Sequence, residues 1–236
     1  AMTMKHLIVL LPVLNEAQGL EWVLNNMPSK ALSSRGYKTT IIVMDGGSTD
    51  ESADVAGRYG VVFLRQEGKG KGAALRHGFR TAIARNADEV VMLDADGTYH
   101  PREMLHLLKG LNHTDVMIGN RLGGNIQEGA MSRFNFLGNH LLTWSATAMF
   151  GITTKDVCSG YWAFNRSSID RLILNSISFE IEAEMFASMV HRDVSFHFHP
   201  ISYRRRIGVA KLNSTADGWR IFRKLLTRRL FPEALL

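Results

Sequence analysis

At 236 residues the chain is long enough for one large domain or two small ones, and 45% apolar residues supply a substantial core. Its single cysteine, Cys158, excludes an intrachain disulfide and fits a reducing compartment. The longest clean apolar run, Leu7 to Leu14, is too short to span a bilayer and lacks the form of a signal peptide. Ala1-Met2, ahead of Thr3-Met4, reads as a cloning remnant. The net charge of +6 is unevenly placed, with nine Lys/Arg against two Asp/Glu between Ile201 and Leu236. A basic tail on a near-neutral body suits an anionic partner (phosphate, an anionic membrane surface or nucleic acid) or a solvated basic face.

Leu7-Ile8-Val9-Leu10-Leu11 reads as a fully buried strand, followed by Pro12-Val13-Leu14-Asn15-Glu16 and a helical pattern through Leu20, Val23 and Leu24. Pro28 to Gly36 is loop-like. Thr39 to Met44 is a second strand, ending at Asp45-Gly46-Gly47-Ser48-Thr49-Asp50, where Ser48 or Thr49 can cap a helix beginning near Glu51. Val61 to Leu64 is a short strand. Gly68-Lys69-Gly70-Lys71-Gly72 then leads into a helix from Ala73 to about Ala84. Glu89 to Leu93 is a strand that ends in Asp94-Ala95-Asp96-Gly97. Pro101 opens a helix, as prolines at the first helical position do, and Asp115 to Gly119 is a further strand.

Beyond Arg121 the pattern changes. Residues 123–129 read as a mobile loop, and Ser132 to Phe150 as a long helix with Phe136, Leu137, His140, Leu141, Trp144 and Met149 on an apolar side. Residues 152–166 read as another loop, Glu180 to Val190 as a helix and Phe196 to Ile201 as a late strand. Asp217 to Phe231 is amphipathic: Trp219, Phe222, Leu225, Leu226 and Leu230 fall on one side, and Arg220, Arg223, Lys224, Thr227 and Arg228 largely on the other. That pattern suits a helix lying on anionic lipid, or one docked on the core with its basic face in water. The β-α alternation predicts an α/β fold with a mostly parallel sheet covered on both faces. With no linker evident, the chain reads as a single domain, residues 1–236.

In such a sheet, ligands bind beyond the carboxyl ends of the strands, where Pro12 to Glu16, Asp45 to Asp50 and Asp94 to Asp96 converge. Asp45 suits recognition of a nucleobase or ribose. Asp94 and Asp96, one residue apart after an apolar strand, offer hard oxygen ligands for Mg²⁺ or Mn²⁺ carrying phosphate. The glycine-rich stretch with Lys69 and Lys71 has the composition of a phosphate loop, but the Gly-x-x-x-x-Gly-Lys-Ser/Thr pattern is absent. The histidines form no H-x-x-x-H or H-E-x-x-H pattern, so His197 and His199 read as surface or packing residues, and Cys158 as a small packed residue.

In order, Pro-Val-Leu-Asn-Glu, Asp-Gly-Gly-Ser-Thr-Asp, Gly-Lys-Gly-x-Ala-x-x-x-Gly and Asp-Ala-Asp resemble the family 2 glycosyltransferases of the GT-A fold. Ser132-Arg133-x-Asn135, Asp156-Val157-Cys158-Ser159-Gly160-Tyr161 and Arg206-Ile207-Gly208-Val209-Ala210-Lys211-Leu212 are similar to the polyprenyl-phosphate glycosyltransferases, which include dolichyl-phosphate mannose synthase. The resemblance runs from residue 7 to about 226. It implies a metal-dependent, inverting transfer of a hexose from a nucleoside-diphosphate sugar to dolichyl or polyprenyl phosphate, at the cytoplasmic face of a membrane. The chain would be peripheral there, or integral if it continues into membrane-spanning helices. Residues 1–119 would form the nucleotide-sugar-binding half and 120–236 the acceptor-binding half.

Carried onto this sequence, the resemblance implies that Pro12, Asn15, Glu16, Asp45 and Lys71 contact the nucleotide-sugar. Asp94 and Asp96 would hold the metal and the donor diphosphate, and Arg121, Ser132, Arg133, Arg206 and Lys211 would hold phosphates. Asp156 would serve as a base or as a ligand for a sugar hydroxyl, although Ser132 and Asp156 also suit an ordinary helix cap and turn. Three departures leave GDP-mannose, UDP-glucose and UDP-N-acetylglucosamine open as donors. Gly46 stands where the family often has Asp, Thr98 where mannose synthases often have Gln, and Ala210 where Ser is usual. A soluble or glycan acceptor is the alternative. A non-enzymatic RNA- or membrane-binding role is remote, and without interleaved aromatic and basic residues no nucleic-acid partner is expected.

Overall fold

The computed structural model describes residues 3–233, so Ala1-Met2 and residues 234–236 lie outside the described residues. The apolar runs form strands buried on both faces. In β1 (Lys5–Val13), Leu7, Val9 and Leu11 pack on one side of the sheet against Leu20, Val23 and Leu24 of α1 (Ala17–Asn25). Ile8 and Leu10 pack on the other against Leu75 and Phe79 of α4 (Lys71–Ala84). Burying each such side chain contributes about 1.5–3 kcal/mol before the entropy of ordering it is set against it.

Around β1 lie β2 (Tyr37–Asp45), β3 (Val62–Arg65), β4 (Glu89–Met92), β5 (Val116–Ile126), β6 (Trp162–Asn165) and β7 (Phe196–Tyr203). They form one seven-stranded sheet in the order β3-β2-β1-β4-β6-β5-β7. The β3-β2-β1-β4 run is parallel, β5 pairs parallel with β7, and β6 runs antiparallel between β4 and β5. Helices α3 (Ser52–Arg58) and α5 (Met104–Gly110, entered through a 3₁₀ turn at Pro101–Glu103) join α1 on one face. Helices α6 (Arg133–Phe150), α8 (Ile181–His191) and α9 (Ser214–Leu230) join α4 on the other. The register sets Val13 beside Asp45 and Leu10 beside Met92, which brings the ends of β1, β2 and β4 to one rim.

Several expectations need correction. The stretch 28–36 contains a short helix, α2 (Ser29–Ser34), anchored by buried Leu32; six residues are too few to show a period. Residues 123–126 continue β5 past a register shift instead of forming a free loop. A Cβ on Gly124 would lie 1.9 Å from the Ile201 carbonyl oxygen, so the glycines there permit close strand pairing. The 152–166 stretch contains β6, and a further short helix, α7 (Arg166–Arg171), follows it directly. At α3, Asp50 accepts the backbone N–H of Ser52, while Ser48 accepts that of Asn15; neither Ser48 nor Thr49 caps the helix.

The two long C-terminal helices bury polar residues and leave much of their apolar sides exposed. Helix α6 buries Thr143, Ser145 and Ala146 and exposes Phe134, Leu137, Leu141 and Trp144. Helix α9 buries Ile221 and Leu225 but also Asp217 and Arg228, and exposes Trp219, Leu226 and Leu230. For α9 the reason is Glu184 of α8, a fully buried carboxylate. It accepts Arg228 Nε at 3.1 Å and Nη2 at 2.9 Å, Lys224 Nζ at 3.2 Å, and the backbone N–H groups of Asn175 and Ser176 at 2.7 and 2.9 Å. A buried carboxylate demands such partners, so two residues of the basic face turn inward.

Burial pushes the Glu184 pKa up, but the Ser176 N–H and the charges of Lys224 and Arg228 outweigh it and hold the carboxyl below its ordinary range. The clamp's contribution is therefore fully present above the ordinary carboxylate range and lost as pH falls through the lowered value. Glu184→Gln is expected to destabilise the fold by about 3 kcal/mol and to speed amide exchange in α9. Unchanged melting and exchange would show that the clamp contributes nothing.

Candidate active site

Asp94 and Asp96 follow β4 at the rim. Asp96 is 6% exposed; its Oδ1 accepts the Thr98 backbone N–H at 3.0 Å and also the Thr98 hydroxyl. Burial first, and then the charge of Asp94, raise the Asp96 pKa above the usual carboxylate value, with Thr98 and Arg206 opposing. Asp94 Oδ1 lies 2.7 Å from Lys71 Nζ. Burial alone pulls the Lys71 ammonium pKa down, but Asp94 and Glu182 outweigh it and raise it, so the group stays charged. Burial and Asp94 push the Glu182 carboxyl up; its contact with the Lys71 ammonium opposes both, and the pair is an ion pair.

The segment after β7 crosses this rim. Arg206 Nη1 donates to Asp96 Oδ2 at 2.7 Å, Nη2 donates to Glu16, and Nε donates to the Val209 carbonyl at 3.1 Å. Lys211 Nζ lies 2.9 Å from Glu16 Oε1 and also donates to the Leu14 carbonyl. The Ile207 N–H donates to the Asp96 carbonyl at 2.8 Å. Gly97, with φ +81°, permits the turn, and a Cβ there would strike Ile207.

Two cavities meet at these carboxylates. The first, about 240 Å³, is bounded by Pro12, Gly46, Gln66, Lys71, Asp94, Asp96, Arg206 and Lys211. The second, about 600 Å³, shares Lys71, Asp94, Asp96 and Arg206 and adds Arg121 and Glu182. Its outer wall is apolar, with Phe134, Leu141 and Leu142 from α6 and Trp219 and Phe222 from α9.

Other residues singled out in the sequence stand around this centre. Asp45 is buried and closes its own turn, accepting the N–H groups of Gly47 and Ser48 at 3.0 and 3.2 Å. Asn15, at φ 51°, ties the β1 and β2 ends together: its Oδ1 accepts the N–H groups of Thr49 and Asp50. The Arg121 guanidinium donates to both oxygens of Asp156, at 2.9 and 2.7 Å, and to Asn139 at 2.9 Å. Asp156 is 1% exposed and lines neither cavity, and this ion pair raises the Arg121 pKa against the effect of burial. Ser132 caps α6 through the Asn135 N–H at 3.1 Å, and the exposed Arg133 borders neither cavity.

The end of the glycine-rich stretch is tied to the segment before α8. Gly72 and Ala73 donate to the Ile177 carbonyl at 3.1 and 3.4 Å, and Lys69 points to solvent. Burial pushes the Cys158 thiol up to about 12, which suits packing and not nucleophilic attack. His199 stacks on His106 at 5.0 Å.

Three contributors escaped sequence reasoning. Gln66 donates to the carbonyls of Gly68 and Gly70 and so shapes the glycine turn. Glu182 holds Lys71, and Tyr99 accepts the Gly160 N–H at 2.8 Å. The available signal was Glu182 and Glu184 in the otherwise apolar 181–187 run.

The described residues contain no group of three or more His, Cys, Asp or Glu placed to hold a metal. Asp94 and Asp96 supply two hard oxygen ligands beside a cavity with room for phosphate, a donor set that fits a cation completing its shell with substrate oxygens and water.

Residues 8–173 match the model of the family described as glycosyl transferase family 2. The chain belongs to the family 2 glycosyltransferases. Among curated relatives, the low-salt glycan biosynthesis hexosyltransferase Agl6 of Haloferax volcanii is 33% identical over 93% of this chain, which spans 53% of that protein. The dolichyl-phosphate hexose transferase of the same organism is 28% identical over 92% of this chain and 90% of its own length. Glucosyl-3-phosphoglycerate synthase from Mycobacterium tuberculosis, crystallised with Mn²⁺, UDP and glucosyl-3-phosphoglycerate, is 21% identical. It superposes with a TM-score of 0.71 over 98% of this chain and 82% of that one, which shows the GT-A fold.

In this transferase a Cβ on Gly160 would lie 2.6 Å from Asp94 Oδ2. Gly160→Ala is expected to displace that carboxylate and lower turnover about 100-fold with far-UV circular dichroism unchanged. Full turnover in this variant would remove Asp94 from the reacting centre.

Proposed function

We propose that this chain transfers a hexose from a nucleoside-diphosphate sugar to a polyprenyl phosphate, at a membrane surface and with a divalent metal. The observation that carries this reading is the larger cavity, which has an ionic floor of Asp94, Asp96, Lys71 and Arg206 and an apolar wall from α6 and α9. A soluble sugar phosphate has no use for that wall, whereas an isoprenoid phosphate matches both ends. The relative named as a dolichyl-phosphate hexose transferase supports the same acceptor class, and the one named as a low-salt glycan biosynthesis hexosyltransferase supports hexose transfer.

Residues of the first half take the donor in this reading. Pro12, Gly46 and Gln66 border the nucleotide's cavity, Glu16 holds Arg206 and Lys211 beside it, and Asn15 and Asp45 fix the loops that form its edge. Asp94 and Asp96 hold Mg²⁺ or Mn²⁺, which when bound neutralises charge developing on the leaving diphosphate. The acceptor's phosphate oxygen attacks the anomeric carbon as its bond to the nucleoside diphosphate breaks, with inversion. A phosphate monoester is largely dianionic at neutral pH, so it needs orientation more than a base. Arg206 and Lys71 supply positive charge at the junction of the two cavities, and Arg121 fixes Asp156 and Asn139 under the second. The exposed Phe134, Leu137, Leu141 and Trp144, with Trp219, Leu226 and Leu230, form the surface that meets the acyl chains. No described helix is long and apolar enough to cross a membrane.

The deciding assay offers a short polyprenyl phosphate with Mg²⁺ or Mn²⁺ and a panel of radiolabelled UDP- and GDP-sugars. A lipid-soluble product from one donor is expected. Label transferred only to a soluble or glycan acceptor would refute the lipid reading. Asp96→Asn should lower turnover by about 10²-fold or more while folding is preserved, and unchanged turnover would remove the metal assignment. Trp144→Asp with Trp219→Asp, at positions 69% and 66% exposed, should sharply reduce association with anionic liposomes without changing the melting temperature. Retained association would place the membrane surface elsewhere.

A further inference from the structure

Each of the two carboxylates at the rim is held by a cation that has a second carboxylate to go to. Lys71 Nζ lies 2.7 Å from Asp94 Oδ1 and also contacts Glu182 Oε1. Arg206 donates from Nη1 to Asp96 Oδ2 at 2.7 Å and from Nη2 to Glu16 Oε1. The arrangement is the same twice over: an inner carboxylate, a cation and an outer carboxylate. The outer pair is well shielded, with side-chain exposures of 5% for Glu182 and 9% for Glu16.

A divalent cation on Asp94 and Asp96 cannot share Asp94 Oδ1 and Asp96 Oδ2 with an ammonium and a guanidinium. Like charges at that separation, shielded from water, repel strongly. The protein's cations have to let go, and a largely buried cation that loses its only partner carries a large desolvation cost. Glu182 and Glu16 remove that cost, because each cation keeps a charged partner when it releases the inner carboxylate. Both cations also stay beside the cavities where the donor phosphates bind.

We propose that Glu182 and Glu16 are positioning residues that retain Lys71 and Arg206 when a divalent metal takes Asp94 and Asp96, so that metal entry is an exchange of counter-ions and not the creation of unpaired charge. The inference rests on the metal-dependent reading above and assigns to Glu182 a part that no motif gives it. Glu182 acts on the metal only through Lys71, and Glu16 only through Arg206.

The test is Mn²⁺ affinity, measured by electron paramagnetic resonance on the full chain with and without UDP. Glu182→Gln leaves Lys71 with Asp94 alone, so the ammonium competes harder with the metal, and affinity is expected to fall about tenfold. Lys71→Met removes the competitor and should tighten binding. The double variant Lys71→Met/Glu182→Gln should bind Mn²⁺ at least as tightly as the parent protein. A double variant as weak as Glu182→Gln would show that Glu182 acts as a ligand or through the fold, and would overturn the proposal. So would a Glu182→Gln affinity equal to the parent's. Should Glu182→Gln fail to fold, Glu16→Gln with and without Arg206→Met gives the same pattern at the other cation and decides equally. If the parent protein binds Mn²⁺ and Asp96→Asn abolishes binding while the outer carboxylates have no effect, this inference fails and the metal reading stands. If the parent protein binds no Mn²⁺, both fall together.

Discussion

The pairing of Arg206 with Asp96 and Glu16 is the contact on which the site depends. It joins a residue near the C-terminal end to the ends of β4 and β1, and it draws the 204–213 segment across the rim. Without it, Asp96 would sit beside Asp94 with only Thr98 to satisfy it, at a position 6% exposed to water. Burial and the charge of Asp94 already raise the Asp96 pKa, and the Arg206 guanidinium works against both. The cations therefore do more than stand ready for phosphate: they pair the two inner carboxylates before any ligand arrives.

A second buried carboxylate, Glu184, governs the exposed apolar side of α9 by a different route. By drawing Arg228 and Lys224 inward it turns α9 so that Trp219, Leu226 and Leu230 face outward beside the apolar surface of α6. A helix that suited either anionic lipid or a solvated basic face is held in place by part of that basic face. The apolar residues thereby released to the surface line the mouth of the larger cavity and continue outward from it.

The parallel half of the sheet was legible because β1, β2 and β4 are continuous apolar runs that end in Asp, Gly or Pro. The convergence of Pro12, Asp45 and Asp94 on one rim followed from that pattern alone. What was not legible depends on contacts distant in sequence. The strand Trp162–Asn165 is too short to show a period, and only its position between β4 and β5 makes it a strand. The orientation of α6 is set by what it packs against, so the apolar stripe alone did not say which way it faces. Lys71 was readable as a phosphate ligand by composition and Arg206 through the family resemblance, but their present partners, Glu182 and Glu16, lie 111 and 190 residues away. Arg121 and Asp156 carry opposite charges in separate motifs, and nothing in either motif announced that they bind each other.

The antiparallel insertion of β6 has a consequence for how the chain reaches its native state. Strand β5 is synthesised before β6, yet it does not pair with β4; the slot between them stays open until Trp162–Asn165 arrives. Until then both flanking strands present unpaired edges, the kind of surface that templates association between chains. Closure of the sheet is thus a late, long-range event, slow by the usual relation between contact separation and rate. The same four residues extend the turn that seats Gly160 against Asp94, so the transferase centre cannot assemble before the sheet closes, and a released fragment ending at Gly119 would carry Pro12, Asp45 and Asp94 on a sheet with an open, adhesive edge.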